Sequence, residues 1–133
     1  MTESSLGKLP AVLQGQCILV VEDEMLLAIM LEDMLTDLGY RVVKASRVAR
    51  AFALVATAAI DCAILDVNLN GETSYSVANE LRRRNVPFVF ATGYGEGGLH
   101  TDYHGSPMLS KPFSQNALVR VLTETLSLHA LKM

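Results

Sequence analysis

Tryptophan is absent from the chain, and only two of its 133 residues are cysteines, Cys17 and Cys62. The two thiols form no Cys-x-x-Cys pair and have no spacing typical of metal ligands. The sequence therefore indicates neither a disulfide framework nor a zinc site. We expect both cysteines to be small buried side chains of a protein that stays in a reducing cytoplasm.

Basic residues are also few. Eleven lysines and arginines stand against 14 aspartates and glutamates, which gives a net charge of −3. Nucleic-acid-binding surfaces need concentrated positive charge, so nucleic acid is not expected as a partner. The one basic cluster, residues 82–84, is expected at the solvated end of a helix.

Long apolar runs are missing as well. No stretch could span a bilayer, so no membrane partner is expected. Residues 1–14 lack the basic start and apolar core of a signal peptide, and we expect them to form an N-terminal tail. Residues 15–133 are expected to form one cytoplasmic domain. A start at Met1 and an end soon after Pro112 favour a complete small protein.

Half of the residues are apolar, which is enough for one core at this length. Apolar runs of strand length alternate with stretches of helical periodicity, and this order predicts a five-stranded parallel sheet with helices on both faces. The predicted strands are 16–22, 40–45, 61–66, 87–91 and 107–110. The predicted helices are 24–38, 46–59, 73–84 and 114–130. Ser46 and Ser114 are predicted helix caps, and Phe52 is predicted to face the core.

Residues 92–106 break this alternation. The stretch TGYGEGGLHTDYHGS holds five glycines, and each glycine in a helix costs roughly 1 kcal/mol relative to alanine. We therefore expect a long loop or a frayed turn that is mobile without a partner.

Polar residues close four of the predicted strands. Glu22 and Asp23 follow the first strand, Asp66 ends the third, Thr92 follows the fourth and Lys111 follows the fifth. The carboxyl ends of parallel strands meet at one edge of a sheet, where ligands bind, so these side chains should share one pocket. Clustered carboxylates repel one another unless a cation joins them, and hard oxygen ligands suit Mg²⁺.

Such a pocket suits phosphoryl transfer, which needs an aligned nucleophile and positive charge at the phosphoryl oxygens. Asp66 is our predicted nucleophile, because it ends the central strand. The backbone carbonyl of Asn68 is a candidate metal ligand beside the three carboxylates. The hydroxyl of Thr92 and the ammonium of Lys111 are expected at the phosphoryl oxygens. A cis bond before Pro112 would turn Lys111 into the pocket.

The motifs VVEDE (20–24), LDVNLNGE (65–72), FATGYGE (90–96) and KPF (111–113) resemble those of a response-regulator receiver domain of two-component signalling. The resemblance covers about residues 15–130. It implies a flavodoxin-like (βα)5 fold, with a parallel sheet in the order 2-1-3-4-5. The fourth strand's motif is similar to that of the FATGUY subfamily, receivers named for a Phe-Ala-Thr-Gly-x-Tyr-like signature. Members are often single domains that pair with HWE-type or related histidine kinases.

The resemblance also assigns roles to residues. It implies that Asp66 is the phosphoacceptor, taking its phosphoryl group from a kinase phosphohistidine. Glu22, Asp23 and the Asn68 carbonyl would be the Mg²⁺ ligands besides Asp66. Thr92 would be the switch hydroxyl, and Lys111 would bind the phosphoryl group. The protein would then be a phosphoacceptor rather than a turnover enzyme, and it would act through a downstream protein or phosphotransferase.

Two features depart from the usual receiver pattern. Met108 stands where receivers typically carry a Tyr or Phe that switches rotamer. The stretch that usually forms the fourth helix is the glycine-rich one, so we expect that helix to be short, frayed or absent. Ordering of this loop would then replace the aromatic switch, with Tyr94 and Tyr103 as candidate residues.

Three alternatives stay open. The chain could be a phosphate sink that drains its kinase without an output of its own. It could be a Mg²⁺-dependent phosphohydrolase of small molecules, although these enzymes usually place a D-x-D motif after the first strand. The third alternative is a metal-binding module built from His100, Asp102 and His104.

Overall fold

The computed structural model of the protein describes residues 15–132. The predicted N-terminal tail, residues 1–14, lies outside the described residues. The strands are β1 (Cys17–Val21), β2 (Arg41–Ala45), β3 (Cys62–Asp66), β4 (Asn68–Leu69), β5 (Glu72–Thr73), β6 (Phe88–Thr92) and β7 (Met108–Ser110). The α-helices are α1 (Met25–Asp37), α2 (Val48–Thr57), α3 (Tyr75–Arg83) and α4 (Gln115–Lys132).

Five of these strands form one parallel sheet in the order β2-β1-β3-β6-β7. Along the chain these are the first, second, third, fourth and fifth strands of the sheet, so the predicted order 2-1-3-4-5 is confirmed. The central strands are buried along nearly their whole length. Continuous apolar runs of this kind are typical of parallel strands that are covered on both faces.

Alternate residues of the strands supply two cores, one on each face of the sheet. Leu19, Leu65 and Phe90 belong to the core that α2 and α3 cover. Ile18 and Ile64 belong to the core that α1 and α4 cover. Cys17 and Cys62 are buried free thiols, as expected.

Two of the predicted helix details are wrong and one is confirmed. Helix α2 has Arg47 at its N-cap, with no side-chain cap bond, so Ser46 is not the cap. Phe52 is 36% exposed, because the buried face of α2 is formed by Ala51, Leu54 and Val55. The prediction for Ser114 is confirmed, since its Oγ accepts a hydrogen bond from the N–H of Ala117 at 3.1 Å. That contact satisfies a backbone donor in the first turn of α4.

The turn predicted around Asn70 and Gly71 is present, but it belongs to a small hairpin that the sequence analysis did not include. Strands β4 and β5 pair antiparallel across it. This pairing occupies Thr73, so α3 begins at Tyr75 rather than at residue 73. The hairpin lies directly between the end of β3 and the start of α3.

The glycine-rich residues 93–106 contain no α-helix. They form two short 3₁₀-helices, Gly95–Gly98 and Thr101–Tyr103, in the place of the usual fourth helix. The expectation of a short, frayed or absent fourth helix is therefore confirmed, and four α-helices are present within residues 15–132. None of the helices in this described part has the length and apolar character needed to cross a membrane.

Candidate functional site

Three carboxylates and one ammonium meet at the carboxyl edge of the sheet. Glu22 and Asp23 follow β1, Asp66 ends β3, and Lys111 follows β7. One oxygen from each carboxylate lies within 4.8 Å of the others. The Nζ of Lys111 is 3.0 Å from Oε1 of Glu22 and 3.3 Å from Oδ1 of Asp66. The structure thus brings together groups from both ends of the sequence, through the parallel order of the strands.

Burial and mutual repulsion make this pocket unfavourable for negative charge. Burial raises the pKa of the Glu22 carboxyl, although the N–H of Glu24 and the ammonium of Lys111 oppose that rise. Burial also raises the pKa of the Asp66 carboxyl, with a further contribution from the charge of Asp23, while Lys111 lowers it. Three acids share one ammonium, so the pocket is left with excess negative charge that a bound cation would stabilise.

Lys111 keeps its positive charge in this setting. Burial alone would lower the pKa of its ammonium, but the neighbouring carboxylates of Glu22 and Asp66 raise it further, and the net pKa is above the ordinary value. Its backbone N–H donates to the carbonyl of Thr92 at 2.8 Å, and the bond from Lys111 to Pro112 is cis. The Lys111 ammonium is thus a positive charge beside the Asp66 carboxylate.

The donors of the pocket fit Mg²⁺. This ion binds hard oxygen ligands, takes few of them from the protein and keeps several waters. Asp23, Asp66 and Glu22 would hold it, one of them through water. Asn68 also qualifies. It pairs with Thr73 next to the hydrogen-bonded pair of Val67 and Ser74, so the pair of Asn68 and Thr73 is a non-hydrogen-bonded one. At such a position the ladder does not use the residue's carbonyl.

Thr92 ends β6 at the same edge and is 4% exposed. Its Oγ1 accepts a hydrogen bond from the N–H of Tyr94 at 3.0 Å. Gly98 lies against it, and a Cβ added at Gly98 would be 2.8 Å from that oxygen. Thr92 is thus in contact with the glycine-rich segment. The side chain of Tyr94, in that segment, is 82% exposed.

Tyr103 was expected as a residue of a mobile loop, but the structure buries it to 4% exposure. Its ring stacks on Tyr75 with centroids 5.1 Å apart, and the guanidinium of Arg82 lies 4.7 Å from its centroid. Its hydroxyl contacts the side-chain oxygen of Asn79. Met108, at the usual switch position, is partly buried and packs against the same core.

Sequence reasoning missed the partners of Tyr103 on α3. Nothing local in the sequence identifies them, because the hydroxyl contact joins residues 24 positions apart. The two tyrosines of this stretch were the sequence signal for a buried anchor, but only the structure shows that Tyr103 is buried and Tyr94 is exposed.

The proposed histidine site is not assembled. His100 pairs with Asp102 at 3.5 Å, and a ring nitrogen of His104 contacts the carbonyl of Leu99 at 3.0 Å. Within residues 15–132, the grouping of three acidic, histidine or cysteine ligands close enough to hold an ion is the one formed by the pocket's carboxylates. The structure therefore gives no support to a metal-binding loop.

An apolar surface borders the pocket along the first two turns of α1. Met25 and Leu26 are 74% and 73% exposed, and Met30 is 52% exposed. A cleft of about 260 Å³ next to it is lined by Met30, Met34, Phe113 and their neighbours. Met25 lines a separate cleft with Glu22, Asp23 and Ile29. Exposed large apolar side chains of this kind are typical of protein contact sites.

The comparison with protein families matches residues 18–123 to the response regulator receiver domain. The chain belongs to this family. Among curated proteins, it is 34% identical over 112 residues to the uncharacterized transcriptional regulatory protein YrkP of Bacillus subtilis. The match covers 80% of this chain and 48% of that protein. The chain spans about half the length of the curated relatives it matches.

Solved structures give the same result for the receiver domain. SdrG from Sphingomonas melonis Fr1 is 43% identical with a TM-score of 0.75, covering 85% of this chain and 97% of that one. The BeF3-activated conformation of SdrG is 42% identical with a TM-score of 0.74, covering 86% of this chain and 98% of that one. The receiver of sensor kinase PA1611 from Pseudomonas aeruginosa, described with magnesium in its active-site cleft, is 29% identical with a TM-score of 0.75, over 85% and 98%.

The chain is thus a receiver domain of two-component signalling. Receiver domains are typically phosphoacceptors that interact with histidine kinases and downstream partners. In this receiver the acidic cluster of Glu22, Asp23 and Asp66 has the composition of a Mg²⁺ site.

Proposed function

We propose that Asp66 accepts a phosphoryl group from the phosphohistidine of a sensor histidine kinase, in a Mg²⁺-dependent reaction. One observation carries this proposal. The Asp66 carboxylate lies within 4.8 Å of two further carboxylates and 3.3 Å from the Lys111 ammonium, at the carboxyl edge of the sheet. This arrangement combines a nucleophile with cation ligands and a positive charge.

The transfer exchanges one bond for another. An oxygen of Asp66 attacks phosphorus, the nitrogen–phosphorus bond of the phosphohistidine breaks, and the imidazole leaves as a neutral group when its other nitrogen is protonated. The product at Asp66 is an acyl phosphate. The Lys111 ammonium binds a phosphoryl oxygen, and the Thr92 hydroxyl donates to another. Bound Mg²⁺ would supply further positive charge at these oxygens.

The kinase would contact the apolar surface of α1. Met25 lies beside Glu22 and Asp23 in one cleft, and Met30 lines a second cleft together with Lys111. Burial of these side chains would offset the loss of freedom that comes with binding. The phosphoryl donors of such kinases derive from ATP, so we place the transfer in the cytoplasm and assign it to a domain of residues 15–133.

We further assign the chain to the FATGUY subfamily, with an HWE-type or related kinase as its partner. The sequence FATGYGE at 90–96 and the short 3₁₀-helices in place of a fourth helix support this assignment. The output would be a protein partner or a phosphotransferase that reads the phosphorylated form. Capture of one partner by only the phosphorylated form would support this output. Rapid drainage of the kinase without such a partner would indicate a phosphate sink.

Phosphotransfer to an Asp66 variant tests the proposal. Labelled phosphoryl groups supplied by acetyl phosphate or the cognate kinase should reach the wild type and be lost in Asp66→Asn. Asp37→Asn, at the exposed end of α1, is the matched control and should be labelled normally. Equal labelling of Asp66→Asn would contradict the proposal, and repeated hydrolysis of a small phosphate ester would favour the phosphohydrolase.

A further inference from the structure

The hairpin after Asp66 is firmly tied to the body of the domain. The N–H of Ser74 donates to the carbonyl of Val67 at 2.9 Å, which closes the base of the hairpin. Leu69 is 1% exposed and packs into the core covered by α2 and α3. The tip of the hairpin therefore has a defined position relative to Asp66 and the pocket.

The tip itself is set by two residues in the left-handed region. Asn70 has a φ of 50° and Gly71 a φ of 89°, and positive φ at both central residues is the mark of a type I′ turn. Asn-Gly is the residue pair that tolerates this geometry best, because glycine has no Cβ and asparagine tolerates left-handed backbone. The turn thus fixes the direction of its own backbone N–H groups.

One of those groups contacts the pocket. The backbone N–H of Asn70 donates to Oδ2 of Asp23 at 3.0 Å. Glu22 and Asp66 are held differently, through Lys111. The ion pairs of Lys111 are with Glu22 and Asp66, whereas the carboxylate of Asp23 is oriented by its hydrogen bond from the hairpin.

We propose that the Asn70–Gly71 turn is a positioning element for the cation site, acting through the Asn70 N–H on the carboxylate of Asp23. The inference rests on the proposed function, in which Asp23 is a Mg²⁺ ligand. Hydrogen bonds to a ligating carboxylate limit its rotation, and loss of such an outer contact typically weakens metal binding by about 10- to 100-fold. The backbone of residue 70 matters for this role, and its side chain does not.

A set of three turn variants tests this inference through Mg²⁺ affinity. Asn70→Pro removes the N–H and forces a negative φ, so its Kd for Mg²⁺ should rise by about tenfold or more. Gly71→Ala should weaken binding less, since a Cβ there meets nothing within 4 Å and acts through the positive φ alone. Asn70→Gly keeps both the N–H and the turn, and its Kd should stay within about twofold of the wild type.

The Kd is read from amide NMR shifts of the folded protein during titration with MgCl₂, at a temperature well below unfolding of each variant. A hairpin with a merely structural role would change the melting temperature and leave the Kd of the folded protein unchanged. Because the Asn68 carbonyl lies on the same hairpin, Asn70→Pro is also measured in an Asp23→Asn background, where it should change the Kd little; an undiminished rise there would mean that the turn does not act through Asp23. Phosphorylation by acetyl phosphate gives a second readout. The Mg²⁺ concentration needed should rise in Asn70→Pro, while the rate at saturating Mg²⁺ is largely kept.

Equal Mg²⁺ affinity in Asn70→Pro and Asn70→Gly would overturn the inference. If Asn70→Pro does not fold, the same comparison between Gly71→Ala and Asn70→Gly decides. Failure of the proposed function looks different, because the wild type itself would then show no saturable Mg²⁺ binding at the pocket.

Discussion

Two connections leave the same edge of the sheet, and they obtain their shape in different ways. The hairpin at residues 67–74 follows Asp66, and the glycine-rich segment at residues 93–106 follows Thr92. The hairpin owes its conformation to two adjacent residues with positive φ. The segment depends on contacts with residues of α3 far away in sequence. Local turn chemistry specifies the tip of the first connection, whereas tertiary packing specifies the second.

The glycine-rich segment is held at several points despite its composition. Tyr103 is buried against Tyr75 and Phe90, with the Phe90 ring 5.3 Å away. The N–H of His100 donates to the Tyr75 hydroxyl at 2.7 Å, and the N–H of Gly105 donates to Oε2 of Glu96 at 2.6 Å. A segment with these contacts has a defined resting conformation, and its link to Thr92 places one end at the carboxyl edge of the sheet.

The largest expected effect comes from removing the anchor of the segment. Tyr103→Ala deletes a buried aromatic ring and should lower the free energy of unfolding by about 3–5 kcal/mol. Tyr94→Ala is the control from the same segment, and its effect should stay within about 0.5 kcal/mol because that side chain is mostly exposed. Urea unfolding measures both. Similar losses in the two variants would mean that the segment is not anchored through Tyr103.

A smaller effect is expected where the segment touches Thr92. A Cβ at Gly98 would lie 2.8 Å from both Oγ1 of Thr92 and Cβ of Tyr94. Gly98→Ala should therefore cost about 1–3 kcal/mol through overpacking and should slow phosphorylation, since Thr92 must shift.

Gly97→Ala provides the matched control for that variant. A Cβ at Gly97 meets nothing within 4 Å, so stability and phosphorylation should match the wild type. If both glycine variants behave alike in urea unfolding and acetyl phosphate labelling, the contact between the segment and Thr92 does not constrain the site.

The smallest expected effect concerns the carboxyl groups of the pocket, which lies between the two connections. Burial raises the pKa of the carboxyls of Glu22 and Asp66, so the folded state binds protons more tightly than the unfolded chain. The free energy of unfolding of the metal-free protein should therefore fall as pH rises from about 4 through the raised pKa values. Mg²⁺ should restore stability at neutral pH.

Thermal unfolding as a function of pH, with and without Mg²⁺, measures this effect. Asp66→Asn should flatten the pH dependence of the metal-free protein, because it removes one of the two raised carboxyls. Asp23→Asn should shrink the rise in melting temperature that Mg²⁺ produces. An unchanged rise in Asp23→Asn would place the metal elsewhere.

The two connections also show which features the sequence could predict. The strand ends at Asp66 and Thr92 could be predicted from the sequence, because each residue closes a continuous apolar run. The parallel topology then brings both residues to one edge of the sheet. The turn at Asn70 and Gly71 was readable from its residue types. The short strands beside it were not, since two-residue pairings depend on the anchoring of Leu69 in the core.

The rest depended on tertiary contacts. Glycine content predicted the absence of a helix at residues 93–106, but the burial of Tyr103 requires a partner surface on α3 that no local pattern reveals. The exposure of Phe52 has a similar origin. Helical periodicity alone places the inward face of α2 only to within about one residue, and packing against the sheet selects the face that is buried.

Mapping of the phosphoryl group by mass spectrometry tests the central claim most directly. After reaction with acetyl phosphate, the adduct is fixed by borohydride reduction of the acyl phosphate and located by peptide sequencing. The account predicts modification at Asp66, only when Mg²⁺ is present, and its loss in Lys111→Met. Modification at another residue, or at Asp66 to the same extent without Mg²⁺, would contradict the site described above.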